Sequence, residues 1–148
     1  MRVLGLDVGD RRIGVAVSDE LLLTAQGVAV IQRQGLDSDL RQVETIIERH
    51  GGAGLVVGLP RNMDGSLGPQ AEKVRRFAEQ LERRTGLPVQ FWDERLTTVA
   101  AERVLLEGDV RRARRKQVID RQAAILILQG YLDRRRTSGV SAGGLREE

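Results

Sequence analysis

The first 34 residues carry apolar positions in short runs that are typical of β-strands. Segments 2–9, 13–18 and 24–34 are rich in valine, leucine or isoleucine, and a short polar turn at 10–12 separates the first two. No apolar residues recur at helical spacing between these segments. The pattern therefore predicts three successive strands that form an antiparallel meander.

Beyond this region the apolar spacing predicts helices that alternate with strands. Leucine, valine and isoleucine recur at helical intervals after Asp37 or Ser38, either of which is expected to cap the helix. The segments that follow are a strand at 55–59, a helix from Pro69 to about Gly86, a strand at 88–94, a helix at 97–106, a basic linker at 107–115 and a helix at 117–134. The order β-β-β-α-β-α-β-α-α predicts an α/β protein with a five-stranded mixed sheet and helices on both faces.

Length and composition indicate one globular domain. The chain has 148 residues, of which 41% are apolar and 30% charged, and this length suits a single core. Residues 1–136 are predicted to form the domain, whereas 137–148 lack apolar periodicity and are predicted to be a disordered tail. The longest apolar runs are far shorter than the roughly 20 residues that span a bilayer. With no cysteine, the default expectation is a cytosolic protein without disulfides.

The positive charges are mostly arginines, and two clusters stand out, one within residues 111–116 and the other at residues 134–136. Arginine accounts for 22 of the 24 basic residues, and its planar fork of donors suits phosphate groups. One cluster, called here the basic cluster, comprises Arg111, Arg112, Arg114, Arg115 and Lys116. Such runs are often solvated surface, but this one precedes a helix with an unusual acid and is therefore a candidate contact for nucleic acid.

Three carboxylates occupy positions where apolar residues are expected. Asp7 ends the first strand, and Glu94, beside Asp93, ends the strand at 88–94. Asp120 continues the apolar stripe of the last helix, which consists of Ala123, Ala124, Ile127, Leu128 and Tyr131. Burying an unpaired carboxylate costs several kcal/mol, so acids at such positions require partners.

A shared cation would neutralise these acids together, although each one singly is also explained as a cap, a turn residue or an arginine's partner. Since the chain has no cysteine and a single histidine, His50, oxygen atoms would hold the cation, which suits magnesium or manganese. Pairs of such ions recur in phosphodiester cleavage. His50 ends a predicted helix and is interpreted as a C-terminal cap. The acids and the basic cluster thus predict a metal-dependent nuclease.

Four segments also resemble the motifs of one protein family. Residues 5–19 (GLDVGDRRIGVAVSD) are similar to its first motif, 56–71 (VVGLPRNMDGSLGPQA) to its second, 93–98 (DERLTT) to its third, and 119–128 to its fourth. The motifs occur in the family's order, and the resemblance extends along essentially all of the chain except the tail. The family is YqgF/RuvX, described both as Holliday junction resolvases and as pre-16S rRNA nucleases. The resemblance implies a ribonuclease H-like fold with Asp7, Glu94 and Asp120 as catalytic, metal-binding acids.

The residues alone leave two assignments open. Neighbouring strand residues point to opposite faces, so only one of Asp93 and Glu94 is expected to line the site. The resemblance favours Glu94, in which case Asp93 is expected to pair with an arginine such as Arg95. The loop Asn62–Gly68 either touches substrate or simply precedes a helix, and no catalytic role is assigned to it.

Competing functions and the substrate are also open. The turn after the first strand resembles the phosphate-binding hairpin of the actin and sugar-kinase superfamily, but those proteins enclose ATP between two domains and this chain supplies one. A non-catalytic RNA-binding or ribosome-assembly module is the second alternative. Between structured RNA and branched DNA the sequence does not choose. A junction resolvase is expected to act as a symmetric homodimer.

Overall fold

The computed structural model of the protein describes residues 1–96 and 112–138, with the backbone alone at 112–121 and at 138. Its elements are β1 (Arg2–Val8), β2 (Arg12–Ser18), β3 (Ala25–Gln32), α1 (Leu36–His50), β4 (Gly52–Leu59), α2 (Pro69–Thr85), β5 (Val89–Asp93), a one-turn 3₁₀ helix (Glu94–Leu96) and α3 (Arg112–Ser138). The predicted helix at 97–106 and most of the predicted tail lie outside the described residues.

The five strands form one mixed sheet in the order β3-β2-β1-β4-β5. The pairs β1–β2 and β2–β3 are antiparallel, which confirms the predicted meander, whereas β4 runs parallel to β1 and β5 parallel to β4. The register pairs Leu6 with Val57 and Leu59 with Asp93. The carboxyl ends of β1, β4 and β5 therefore meet at one edge of the sheet, which we call the carboxyl edge.

Helices cover both faces of the sheet, as the sequence pattern predicts. Leu4 and Leu6 of β1 pack in one apolar cluster with residues of α1 and α2, among them Val43 and Phe77. Val3 of β1 belongs to a second cluster with residues of α3. Within residues 1–96 and 112–138, no helix has the length and apolar character needed to cross a membrane.

Helix α1 begins differently from the prediction. Its N-cap is Gly35, with a φ of +154° and no capping side chain, so the expectation of an Asp37 or Ser38 cap is wrong. The acid that organises this end is Asp39, which is 1% exposed and lies inside the first turns. Its carboxylate accepts a hydrogen bond from the Gln34 N–H at 2.9 Å and thereby fixes the chain entering the helix.

Helix α3 is longer than predicted. It begins at Arg112, so most of the basic cluster belongs to the helix and the predicted linker is wrong from that residue onward. The physical reason is that arginine, alanine and lysine are strong helix formers, and this propensity outweighs the unfavourable interaction of positive charges with the N-terminal end of the helix dipole. The helix continues to Ser138, two residues beyond the predicted end of the domain.

Candidate active site

Asp7 is the first of two buried carboxylates that the sheet presents toward α3. It is the penultimate residue of β1 and is only 3% exposed. Alternation along the strand fixes its direction, because Val3 packs in the α3 cluster and Gly5 lies against Leu128 of α3. Asp7, two residues further along, therefore faces the same side at the carboxyl edge.

Gly5 itself allows α3 to approach the sheet. A Cβ at Gly5 would lie 2.7 Å from Cβ of Leu128 and 3.2 Å from the carbonyl oxygen of Ala124. A close backbone approach therefore explains why this position is a glycine. The helix that carries Asp120 therefore packs directly on the strand that carries Asp7.

Glu94 supplies the second buried carboxylate. It opens the 3₁₀ turn after β5 and is 4% exposed. Trp92, two residues earlier, packs in the α3 cluster, so the strand presents this side to α3 up to its end. Oε2 of Glu94 lies 2.9 Å from the point that a Cβ on Gly58 would occupy. The side chain thus extends from β5 over the neighbouring strand β4.

Gly58 forms the floor between the two acids. It follows Val57, the partner of Leu6 in the register, and so lies beside Asp7 at a strand spacing of about 4.8 Å. A Cβ at this position would overlap Cδ1 of Ile127 as well as approach Glu94. Sequence reasoning did not single out this residue, although a glycine inside an apolar strand is a recognised sign of a close approach.

Asp93 points away from this floor and pairs with arginines. Its Oδ2 lies 2.6 Å from Nη2 of Arg95, and Nε of Arg61 lies 4.0 Å away. The Arg95 guanidinium holds the pKa of the Asp93 carboxyl below its usual value. The ion pair that the sequence predicted between Asp93 and Arg95 is therefore present, and the two neighbouring acids have different surroundings.

Asp120 belongs to α3, one turn before Ala124, and its side chain lies outside the described residues. The stripe that it was predicted to continue is buried from Ala123 to Tyr131, as expected. In the basic cluster, Arg111 lies outside the described residues, while the other four members belong to the first turns of α3 with their side chains undescribed. One helix thus carries four members of the basic cluster and the third predicted acid.

His50 is remote from the acids. It is the last residue of α1, and β4 begins two residues later at Gly52, which pairs with Arg2 at the opposite edge of the sheet. Among the side chains that the structure describes, no three acids or histidines are grouped so that they could hold a metal ion. A metal site at Asp7 and Glu94 therefore needs a further donor, for which Asp120 is the candidate from the sequence.

The chemistry of the two described acids fits a hard divalent cation. Both offer carboxylate oxygens, the ligands that magnesium and manganese prefer. The glycine floor leaves a cradle beside Glu94 that a Cβ would fill. Two buried carboxylates over this cradle can hold a cation at the carboxyl edge, where open α/β sheets commonly bind their ligands.

Comparison with known proteins gives closely similar sequences along almost the whole chain. A relative from Moorella thermoacetica is 61% identical over 140 residues, which cover 95% of this chain and 100% of that protein. One from Symbiobacterium thermophilum is 59% identical over 135 residues, with coverage of 91% and 94%. Both are named "Putative pre-16S rRNA nuclease".

Solved structures with the same architecture include two junction resolvases. RuvC from T. thermophilus, in complex with a Holliday junction substrate, superposes with a TM-score of 0.60 at 16% identity over 95% of this chain and 98% of that one. The fowlpox virus Holliday junction resolvase gives a TM-score of 0.53 at 11% identity, covering 90% and 99%. At such identities the likeness shows the fold alone, which is ribonuclease H-like. The model of the RuvX family, described as Holliday junction resolvase, matches residues 1–134, and the chain belongs to that family.

Proposed function

We propose that this protein is a divalent-metal-dependent endonuclease that hydrolyses phosphodiester bonds in structured nucleic acid. The observation that carries the proposal is the pair of buried carboxylates, Asp7 and Glu94, on one face of the sheet with Gly58 between them. Burying two carboxylates on one face costs free energy, and a bound cation would offset that cost. The full-length relatives named as nucleases support the same conclusion.

In this proposal each residue has a distinct task. Asp7, Glu94 and Asp120 hold magnesium or manganese through carboxylate oxygens. When bound, a pair of such ions activates the attacking water and stabilises the departing 3′-oxygen. Ile127 packs over Gly58 beside Oε2 of Glu94. The basic cluster binds backbone phosphates and brings a strand to the carboxyl edge.

The relatives favour a precursor of 16S rRNA as the substrate, because 61% identity over a full-length relative is far higher than the identity to any resolvase structure described above. A four-way DNA junction is the second candidate, and the description of the family supports it. The two differ in one structural requirement. Symmetric cleavage of a junction needs two copies of the chain, whereas trimming a precursor RNA needs one.

The test is a cleavage assay with both substrates side by side, a precursor rRNA fragment and a four-way DNA junction, each with magnesium or manganese. We expect metal-dependent cleavage by the wild-type protein, and loss of cleavage in Asp7→Asn and Asp120→Asn. Both variants remove one carboxylate oxygen while conserving shape, so nucleic-acid affinity should change little. Affinity is measured by fluorescence anisotropy with the same labelled substrates.

Two outcomes would contradict the proposal. Full cleavage by Asp7→Asn would show that the carboxylate is not part of the reacting site. A wild-type protein that binds RNA but cleaves neither substrate with either metal would favour the alternative, a non-catalytic ribosome-assembly factor of the same fold. Glu79→Gln serves as the matched control, because it makes the same carboxylate-to-amide change at an acid of α2 that is 45% exposed and paired with Arg75.

A further inference from the structure

The connection between β4 and α2, residues 60–68, is the second feature of the carboxyl edge. Connections of this kind commonly contain about two to six residues, and this one has nine. It leaves the sheet directly after the strand that carries Gly58. Loops at the carboxyl edge of such sheets commonly contact ligands. The 60–68 loop is therefore placed where a substrate at the acids would meet it.

Hydrogen bonds within the loop give it one conformation. The Asn62 N–H donates to the carbonyl oxygen of Ser66 at 3.0 Å, and the Gly65 N–H donates to that of Asn62 at 2.8 Å. Oδ1 of Asp64 accepts from both the N–H and the hydroxyl of Ser66, and these bonds lower the pKa of the Asp64 carboxyl. Gly65 has a φ of +90°, which only glycine adopts readily. The loop is thus preorganised before anything binds.

Arg95 holds the loop against the turn that carries Glu94. Its Nη1 donates to the carbonyl oxygen of Met63 at 3.1 Å, while its Nη2 and Nε bind the carboxylate of Asp93. A Cβ on Gly65 would lie 3.5 Å from Nη1, so the guanidinium also packs on the loop backbone. Arg95 directly follows Glu94 in the chain. Its hydrogen bond to Met63 therefore fixes the position of the 60–68 loop relative to the candidate metal ligand.

Met63 is the exposed apolar residue of this rigid loop. Its side chain is 92% exposed, and Leu96, the residue after Arg95, is 54% exposed. An apolar side chain that is carried on a preorganised backbone at the carboxyl edge, without a role in the core, is suited to contact a ligand. We propose that the 60–68 loop binds the nucleic-acid strand beside the acids, with Met63 in contact with the face of an unpaired base. This inference rests on the proposed function.

A nucleic acid fits this surface better than a protein partner does. The loop shares its attachment with Glu94, so a protein seated on Met63 would block the access of substrate to the acids. The same surface exposes the side chain of Arg61, which is 38% exposed with its Nε 4.0 Å from Oδ2 of Asp93 and its Nη1 bound to the carbonyl oxygen of Gly65. A guanidinium group next to an apolar side chain matches the phosphate and base of one nucleotide.

The experiment measures binding in an Asp7→Asn background, so that no cleavage occurs. The probes are a fluorescent RNA hairpin with unpaired loop bases and a fully paired duplex of the same stem. Met63→Ala should weaken hairpin binding about three- to tenfold, because the contact to an unpaired base is lost. Duplex binding should not change, and Met63→Leu should restore most of the hairpin affinity.

The matched control is Leu21→Ala. Leu21 is 75% exposed, and it follows β2 at the edge of the sheet opposite Asp7. The Leu21→Ala substitution should change neither the affinity for the hairpin nor the affinity for the duplex. A Met63→Ala variant that binds both probes as well as its parent overturns the inference and leaves the nuclease proposal standing. An equal loss on hairpin and duplex overturns the contact with an unpaired base. If the parent protein binds neither probe and the wild type cleaves nothing, both proposals fail.

Discussion

At the scale of single residues, the site depends on space that one side chain would remove. Glu94 reaches over β4 because Gly58 has no Cβ, and the same gap admits Cδ1 of Ile127 from α3. Two different elements therefore use the space above one glycine. One of them carries a candidate metal ligand, whereas the other is part of the apolar core.

Gly58→Ala is expected to affect both elements. The new methyl group overlaps Ile127, and overpacking of this kind costs about 1–3 kcal/mol of folding free energy. It also displaces Glu94, and a shift of this size in a catalytic group lowers kcat by about 10- to 100-fold. Urea unfolding measures the first effect. The second is measured by cleavage rates over a manganese titration, whose midpoint should move to higher concentration.

The double variant Gly58→Ala, Ile127→Val separates packing from catalysis. Valine lacks the Cδ1 atom that the new methyl group would overlap, so much of the stability should return. The contact with Glu94 remains, so kcat and the manganese midpoint should stay impaired. Recovery of both activity and stability in the double variant would show that Gly58 serves only the packing of α3.

The sequence predicts the positions of the acids better than the space between them. Asp7 and Glu94 lie at the ends of apolar strands, and the alternation of side chains along a strand follows from the local sequence. The expected burial of these two acids and the expected Asp93–Arg95 ion pair are both present for this reason. The requirement for Gly58 arises from Glu94 in the turn after β5 and from Ile127 of α3, which are distant in sequence. A glycine in an apolar strand signals a close approach, but no local pattern tells which residues make it.

At the scale of elements, one ion pair joins three parts of the fold near Asp7. Nε of Arg33, after β3, lies 2.9 Å from Oδ2 of Asp39 in α1, and its Nη1 donates to the carbonyl oxygen of Gly9 in the turn after β1. The guanidinium also lies 5.2 Å from the ring centroid of Phe77 in α2. Arg33 and Asp39 therefore fix the turn that follows Asp7 against the helical layer.

The stabilisation from Asp39 should depend on pH. Burial alone raises the pKa of its carboxyl, but hydrogen bonds from the Gln34 N–H and Arg33 outweigh it and hold the pKa below the ordinary 3.8. A pKa that is lower in the folded state means that folding favours the ionised form. The contribution is therefore complete above about pH 5 and is lost as the pH falls through 3.8 and below.

Asp39→Asn should lower the free energy of unfolding by about 1–3 kcal/mol at neutral pH, as expected for charge-assisted hydrogen bonds. The difference from wild type should shrink as the pH falls below about 4, because the wild-type carboxyl then becomes neutral. Urea unfolding across this range measures it. A difference that is constant with pH would contradict the assignment. Asp37→Asn is the control, since Asp37 is 70% exposed on the same helix and should matter little.

The beginnings of α1 and α3 show why boundaries are harder to predict than elements. The apolar periodicity of both helices is confirmed. The carboxylate of Asp39, inside the first turns of α1, accepts a hydrogen bond from the N–H of Gln34, which precedes the helix, and so fixes where the helix starts. The usual capping rule instead expects a polar side chain at the residue before the first turn. For α3 the charge of the arginines predicts a linker, although their helix propensity favours the observed start at Arg112.

At the scale of the whole molecule, the distribution of charge matters more than its sum. The net charge is only +3, and several arginines of the layer formed by α1 and α2 are paired within it. Arg84 binds Asp37 and Glu44, and Arg75 binds Glu72 and Glu79. The four members of the basic cluster that belong to α3 lie on the other layer, the one that faces the acids. Attraction for nucleic acid is therefore expected on that side.

Replacing Arg111, Arg112, Arg114 and Arg115 with glutamine should weaken binding of the rRNA fragment and make it less sensitive to salt. Each phosphate contact that is lost lowers the slope of log affinity against log salt by about 0.7–0.9. Anisotropy titrations over a series of salt concentrations measure the slope. Arg76→Gln with Arg83→Gln, on exposed positions of α2, is the control. An unchanged slope in the cluster variant would show that the basic cluster is solvated surface that does not contact phosphates.

Helix α3 also determines when the candidate site is completed during synthesis. It is the last described element along the chain, yet Oε1 of Gln129 accepts a hydrogen bond from the N–H of Ala25, 104 residues earlier. A ribosome makes the chain from its N-terminus, so all five strands emerge before α3 exists. During that interval the face that bears Asp7 and Glu94 lacks α3, because the N-terminal part of a chain is synthesised and folds first. In a nascent chain the candidate site is therefore completed only after the ribosome has delivered α3.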